Sequence, residues 1–400
     1  MNLFIAIPLL DELDSIHSLL SCLKSQTYKD FSLFICVNQP EDWWDLPDKR
    51  EICFRNQKTI ELLQNETELS IYLIDKSSRG KAWIGKQHGV GYARKELFDS
   101  INLVAQPNDI IISLDGDTEF NPSYFEEMLA VFQQNPDLPA VSAPYYHKLT
   151  SNEDADRAIL HYEIYMRYYL INLFRIQSPY NFTALGSAMA FRVEDARRIG
   201  GFSPKLSGED FYFLQKMVKF KKILNYCPEK VYPAARFSDR VYFGTGPAMI
   251  KGAEGNWDSY PIYDYRLFDK IQSFFKKIPE IFQTGNFNVF KEDEPVFDQN
   301  LWNKLLINNK VSDRFIKAVY DNFDGLRMLQ FLKSNQKNPN EGNELRLIEF
   351  LSIYYPDFES FVDIENFSFK NSDILHLNQM RNYLCKIEDE HRKYEYNSYR

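Results

Sequence analysis

The chain has 400 residues, of which 44% are apolar and 16% aromatic, and a formal net charge of −9. That length can bury a sizeable core and suggests two domains, or one large domain with an extension. The acidic balance argues against a dedicated nucleic-acid binder, which ordinarily carries a basic domain. Five cysteines with no C-x-x-C pair argue against a disulfide framework or a zinc site and fit a reducing compartment.

In chain order, Leu3 to Ile7 is a short apolar run ended by Pro8, followed by Ile16, Leu19, Leu20 and Leu23 at helical spacing. The opening lacks a basic leader and is stopped by Asp11 and Glu12, so it reads as a strand and not a signal peptide. Phe31 to Val37 is a second strand, then comes a polar stretch with Trp43, Trp44 and Pro47, and a helix over Arg50 to Leu63. Ser70 to Ile74 is a third strand, Ile84 to Leu97 is helical in pattern, and Asp109 to Leu114 is a nearly all-apolar strand, as expected for one buried on both faces. Asn121-Pro122 opens a helix carrying Phe125, Met128, Leu129 and Phe132.

A long Tyr-rich helix follows over Asp154 to Arg175. After it come a small-residue turn and strand from Ala184 to Arg192, then Gly200-Gly201-Phe202, then a helix opened by Gly208-Glu209-Asp210. Beyond residue 262 glycine is sparse and helical spacing dominates, in Leu267 to Ile278 and again in Arg346 to Tyr354. The charged tail Glu388 to Arg400 is expected to fray. No apolar run approaches the ~18 residues a membrane span needs. These features predict an α/β domain over residues 1–262, with a mostly parallel sheet flanked by helices, and a mainly helical extension over 263–400. A cytoplasmic location is expected, with peripheral contact at the inner face of the membrane left open.

Parallel sheets bind ligands beyond the carboxyl ends of their strands. Asp115-Gly116-Asp117 lies there, directly after the most apolar strand. Two short carboxylates can share a hard divalent cation with substrate phosphates, although Asp-Gly is equally a common turn pair. Asp75 also follows a strand, where it can bond a base or ribose or simply close a turn. Arg79-Gly80-Lys81 sets two cations before the predicted helix, where side-chain charge and helix amides can meet a phosphate. Asp210, beside Glu209, can accept a proton from an attacking hydroxyl, or both can cap their helix. Arg236, Asp239 and Arg240 precede Phe243-Gly244-Thr245-Gly246, and an Arg on this loop can cover a diphosphate. His147 and His161 are candidate third metal ligands, with packing roles the plainer reading; no His cluster indicates a protein-only metal centre.

In this order the motifs resemble glycosyltransferase family two, the inverting transferases with the GT-A, Rossmann-like nucleotide-sugar fold. The resemblance runs through Ile5-Ala6-Ile7-Pro8 to Glu12, Arg79-Gly80-Lys81, Asp115-Gly116-Asp117, Gly186 to Arg192, Gly200 to Phe202 and Glu209-Asp210, and covers roughly residues 1–250. It implies a nucleotide-diphospho-sugar donor, with UDP-sugars the default, and a divalent Mn2+ or Mg2+. It places Pro8, Glu12 and Asp75 at the nucleotide and Asp115 at the ribose and diphosphate; Asn38, Arg79, Lys81, Gly116 and Arg240 are the further candidate donor contacts read from the residues. Asp117 and Asp115 would serve the metal, and Asp210 with Glu209 the catalysis. The acceptor would be a glycan, lipid-linked or protein hydroxyl in bacterial polysaccharide or glycoconjugate synthesis. The opening Leu9-Leu10-Asp11 and the strand end Val37-Asn38-Gln39 depart from the family's usual residues. Two other readings remain: a sugar nucleotidyltransferase, or a catalytically degenerate scaffold that binds nucleotide or glycan.

Overall fold

The computed structural model describes residues 1–239, 244–290, 295, 297–338, 342–363 and 367–399. Among these the strands are β1 (Leu3–Leu9), β2 (Phe31–Asn38), β3 (Ile71–Lys76), β4 (Ile110–Ser113), β5 (Glu119–Phe120), β6 (Ala140–Ser142), β7 (Met189–Arg192) and β8 (Val231–Tyr232). Six of them form one sheet in the order β3-β2-β1-β4-β7-β6, and β5 pairs with β8 in a small second sheet. β1, β2, β3 and β4 run parallel, whereas β7 is antiparallel to both β4 and β6. The parallel strands β1 and β4 are buried along their length, which is why they read as unbroken apolar runs.

β1 continues one residue beyond the expected stop at Pro8. The Ala6 carbonyl accepts from the Leu114 N–H at 3.1 Å, so Ala6 and, two residues on, Pro8 turn toward β4. With no N–H, Pro8 cannot extend that ladder, but it does not interrupt the pairing with β2, which runs to Leu9.

The helices are α1 (Ile16–Ser25), α2 (Arg50–Gln64), α3 (Val90–Asn102), α4 (Tyr124–Gln134), α5 (Glu153–Arg175), α6 (Val193–Arg198), α7 (Glu209–Phe220) and α8 (Thr245–Ala253), then α9 (Tyr265–Thr284), α10 (Gln299–Asn308), α11 (Ser312–Asn322), α12 (Gly325–Asn335), α13 (Asn343–Tyr354) and α14 (Ile374–Tyr399). α3 starts later than its apolar spacing predicts, because Gly89 holds φ +99°, outside the helical region. None of the helices, among the described residues, is long and apolar enough to cross a membrane.

The chain divides into two compact units. One comprises Met1–Ile159, Phe182–Ala253 and Arg392–Arg400; the other comprises Leu160–Asn181 and Glu254–His391. The first holds both sheets and every candidate site residue in the described chain except His161. The tail does not fray as expected: α14 runs to Tyr399. Within the first unit Arg392 is buried and donates to the Ser142 and Asn225 carbonyls at 3.0 and 2.6 Å, while Tyr396 stacks on Tyr226. The Arg392 charge is therefore held by interior backbone carbonyls, not by solvent. In the helical unit, buried Arg167 and Arg381 pair with Glu163 and Glu388, and Trp302 lies fully buried among Phe274, Phe287, Phe290 and Phe297.

Candidate active site

The carboxyl ends of β1 and β4 bring two loops together. Gly116 sits so close to the β1 loop that a Cβ there would lie 2.4 Å from Leu9 Cδ2 and 2.8 Å from Glu12 Cγ. A hydrogen at that position lets Glu12 and the Asp115–Asp117 turn approach each other.

Beneath this turn lies Arg94 of α3, with 3% of its side chain exposed. Its Nη2 donates to Asp115 Oδ1 at 2.5 Å, its Nη1 to Ser113 Oγ at 2.5 Å and its Nε to Glu209 Oε1 at 2.9 Å. One guanidinium thus joins the end of β4 to the start of α7. The small residues before β7 make room for it, since a Cβ on Gly186 would lie 2.0 Å from Arg94 Nη2. Gly91 likewise lets the loop before α7 approach α3, because its Cβ would meet the Lys205 carbonyl at 2.2 Å.

Glu209 is buried, and burial raises its carboxyl against the opposing pull of Arg94. Asp210 is half-buried and accepts the Phe211 N–H at 2.7 Å. Burial, and then the Glu209 charge, push its carboxyl up to about 7, while Arg94 works in the lowering direction. A carboxylate held in that range exchanges a proton near neutrality.

A second guanidinium closes the other side. Arg236, four residues beyond β8, places Nη2 at 2.6 Å from Glu12 Oε1 and 2.6 Å from Asp117 Oδ2. The short β5–β8 pairing delivers this segment to the strand ends.

Residues 110–244, from β4 through Asp115–Asp117, Glu209-Asp210 and Arg236, match the family model described as glycosyl transferase family group 2. This segment of the chain resembles that family. The sheet has four parallel strands carrying an antiparallel β7–β6 edge with helices around it, the mostly parallel α/β arrangement that the sequence predicts. None of the curated proteins matches the chain by sequence.

Three solved structures resemble the chain. Residues 1–349 of S. aureus TarS in complex with UDP-GlcNAc share 12% identity, covering 93% of this chain and 98% of that one, with a TM-score of 0.43. The mannosyltransferase PcManGT from Pyrobaculum calidifontis in complex with GDP-Man and Mn2+ shares 13% identity over 96% and 87%, with a TM-score of 0.35. Glucosyl-3-phosphoglycerate synthase from Mycobacterium tuberculosis, in complex with Mg2+ and UDP, shares 12% identity over 55% and 66%, with a TM-score of 0.33.

Several residues singled out from sequence have other engagements in the fold. Arg79-Gly80-Lys81 lies in a turn well before α3, not at its first turn, so no helix amides back it. Arg79 pairs with exposed Asp45, and the Gly80 N–H donates to Glu41 Oε1 at 2.8 Å. Lys81 Nζ reaches Asp75 Oδ2 at 3.1 Å. Asp75 Oδ1 accepts the Ser77 and Ser78 N–H groups at 3.1 and 2.9 Å, which closes a turn. Burial alone would raise the Asp75 carboxyl, but the Ser78 and Ser77 bonds and Lys81 outweigh it and hold the carboxyl below its ordinary value. Asn38 is buried and donates to the Leu9 carbonyl at 2.9 Å, tying the end of β2 to the end of β1. Arg240 lies outside the described residues.

Among the described residues, no three or more His, Cys, Asp or Glu side chains group into a metal site, so His147 and His161 complete none. The donor set does fit a cation whose shell is completed by substrate phosphates: Asp117 and Glu12 already share one positive group, the Arg236 guanidinium.

Arg94 escaped the reading of the sequence. The available signal was a charge at a position where the helical stripe Ala93, Leu97, Phe98 and Ile101 demands an apolar residue.

Proposed function

We propose that this glycosyltransferase moves a sugar from a nucleoside diphosphate-sugar to a hydroxyl acceptor in a single inverting displacement, with UDP as the nucleotide. The observation that carries the reading is Asp210, whose raised carboxyl adjoins Glu209, which Arg94 ties to Asp115. Asp210 takes the proton of the acceptor hydroxyl while that oxygen forms its bond to the anomeric carbon. The bond from the anomeric carbon to the diphosphate oxygen breaks in the same step, and its electron pair leaves with the diphosphate. In-line attack on one face and departure from the other invert the centre.

Arg94 holds Asp115 and Glu209 at a fixed separation, so acceptor and donor sides keep their register. Glu209 adds negative charge beside Asp210 and makes it a better base at neutral pH. Asp117 and Asp115, with Glu12 adjacent, would hold a divalent cation, which when bound neutralises charge on the departing diphosphate. Pro8, at the end of β1, and Asp75, at the end of β3, would border the nucleotide. UDP is the choice because the family resembled uses it most.

The test is incubation of the purified chain with UDP-sugars and a panel of hydroxyl acceptors, with the product anomer assigned by NMR. An inverted linkage made by the wild type and lost in Asp210→Asn is expected. Retention of configuration, or near-normal transfer by Asp210→Asn, would sink the assignment.

A further inference from the structure

The Arg236 bridge has a consequence for the order in which the site fills. The side chains of Glu12 and Asp117 are 6% and 16% exposed, and Gly116 lets them come close. Two such carboxylates repel each other unless a cation lies between them. Arg236 supplies that cation from a chain position 224 residues beyond Glu12, with one nitrogen at 2.6 Å from an oxygen of each. Its Nε is buried and has no partner among the described residues, so the guanidinium is not fully engaged where it sits.

A metal ion in contact with the same two oxygens would need distances near 2.0–2.2 Å. It would then stand where the Nη2 group now is. The two occupants exclude each other.

Charge also links the ion to the donor. Among the described residues, the carboxylates Glu12, Asp115, Asp117, Glu209 and Asp210 lie with the guanidiniums Arg94 and Arg236. A diphosphate entering alone meets the Glu12 and Asp117 carboxylates with no cation to spare for it. A cation entering alone must displace Arg236 from both carboxylates with no phosphate present to receive it. Entering together, the cation takes the carboxylates, and the freed guanidinium finds phosphate oxygens, which match its fork of donors.

We propose that Arg236 and a divalent cation are alternative occupants of the Glu12–Asp117 pair, and that Arg236 passes to the donor diphosphate when the cation enters. Arg236 is thus a positioning residue that makes metal and donor bind as a coupled pair. The proposal rests on the reading of the site as a nucleoside diphosphate-sugar site. Coupling is reciprocal: the group that weakens metal binding in the empty site strengthens it once diphosphate is present.

The test titrates Mn2+ alone, followed by electron paramagnetic resonance of the free ion, into the wild type, Arg236→Gln and Arg236→Lys. It then repeats each titration with UDP, GDP and UMP. Circular dichroism checks that each variant is folded, and Arg236→Lys, which keeps the charge, serves if Arg236→Gln does not fold. In the wild type, UDP or GDP but not UMP should tighten Mn2+ binding by about 5- to 150-fold, the ordinary range of coupling between sites. Arg236→Gln should bind Mn2+ alone more tightly than the wild type and lose most of that coupling; Arg236→Lys should do both to a smaller degree. Mn2+ binding by the folded variants that is unchanged or weaker in the absence of nucleotide overturns the exchange. If no nucleotide binds to any of the proteins under any condition, the nucleotide-sugar reading fails instead, while the titrations with Mn2+ alone still report on Arg236.

Discussion

Replacement of Arg94 by Met deletes the charge of a side chain that is 3% exposed and keeps much of its volume. Glu209, with 4% of its side chain exposed, loses its guanidinium partner, and so does Asp115. Breaking a buried pair from one side costs about 3–5 kcal/mol. Against a total stability of roughly 5–15 kcal/mol the variant should still fold. Its Tm should fall by about 6–20 °C, from a slope of about 2–4 °C per kcal/mol.

The functional signature is separate from that loss. Asp210 must be ionised to accept a proton, and Arg94 is the neighbour whose charge lowers its carboxyl against burial and Glu209. Loss of one neighbouring charge at an effective dielectric near 20 is on the order of 2 kcal/mol, which is about one to two pH units. The acid limb of kcat/KM should therefore move to higher pH by that amount in Arg94→Met. Arg94→Lys keeps the charge but cannot hold Ser113, Asp115 and Glu209 in one plane, so it should lose kcat with a smaller displacement of the limb. Profiles of kcat/KM from about pH 5 to 9 for the three proteins measure this. A folded Arg94→Met protein whose acid limb coincides with the wild type would refute the electrostatic role and leave Arg94 as packing alone.

Other outcomes follow from the same geometry. Asp210→Asn should lower transfer by at least about 100-fold. A carboxyl raised in the folded state contributes stability at acid pH that is lost as pH rises through its folded value, here about 7. The Asn variant should therefore melt above the wild type at about pH 8, with the difference shrinking toward about pH 5, as thermal melts at the two pH values would show. Gly116→Ala puts a carbon 2.4 Å from Leu9 Cδ2 and should cost about 1–3 kcal/mol as overpacking, with loss of UDP binding by calorimetry. Arg392→Ala should lower Tm, because each carbonyl left unpaired at Ser142 and Asn225 costs about 1–3 kcal/mol; an unchanged melt would return the tail to the solvated, frayed segment its composition suggests.

Much of the first unit was readable because local patterns carry it. The runs Leu3–Leu9 and Ile110–Ser113 are apolar at every position but one or two, and that density marks strands covered on both faces. Asp115-Gly116-Asp117 was legible as a candidate site by its place after such a strand, and Gly208 before Glu209 marked the start of α7. Spacing misled at Ile84, where the apolar positions suit a helix but Gly89 adopts a backbone angle that a helix cannot contain. It misled again at the tail, where the charges of Arg392 and Glu395 read as solvated. Arg392 instead serves buried backbone carbonyls, and Glu395 accepts from the Asn225 side chain.

The sequence by itself determined the strand–helix alternation, the acidic turn after β4 and the carboxylate dyad at the head of α7, because each depends on residues within a few positions of one another. Only the tertiary structure decided which cations those carboxylates meet. Arg94 and Glu209 are 115 residues apart, and Arg236 and Glu12 are 224 apart. Over such separations nothing in periodicity or turn chemistry selects a partner; the crossing of the chain at the ends of β1 and β4 does. Arg79 and Lys81, singled out in sequence as phosphate ligands, pair with Asp45 and Asp75, 34 and 6 residues away. A basic side chain goes to the carboxylate that packing brings within reach.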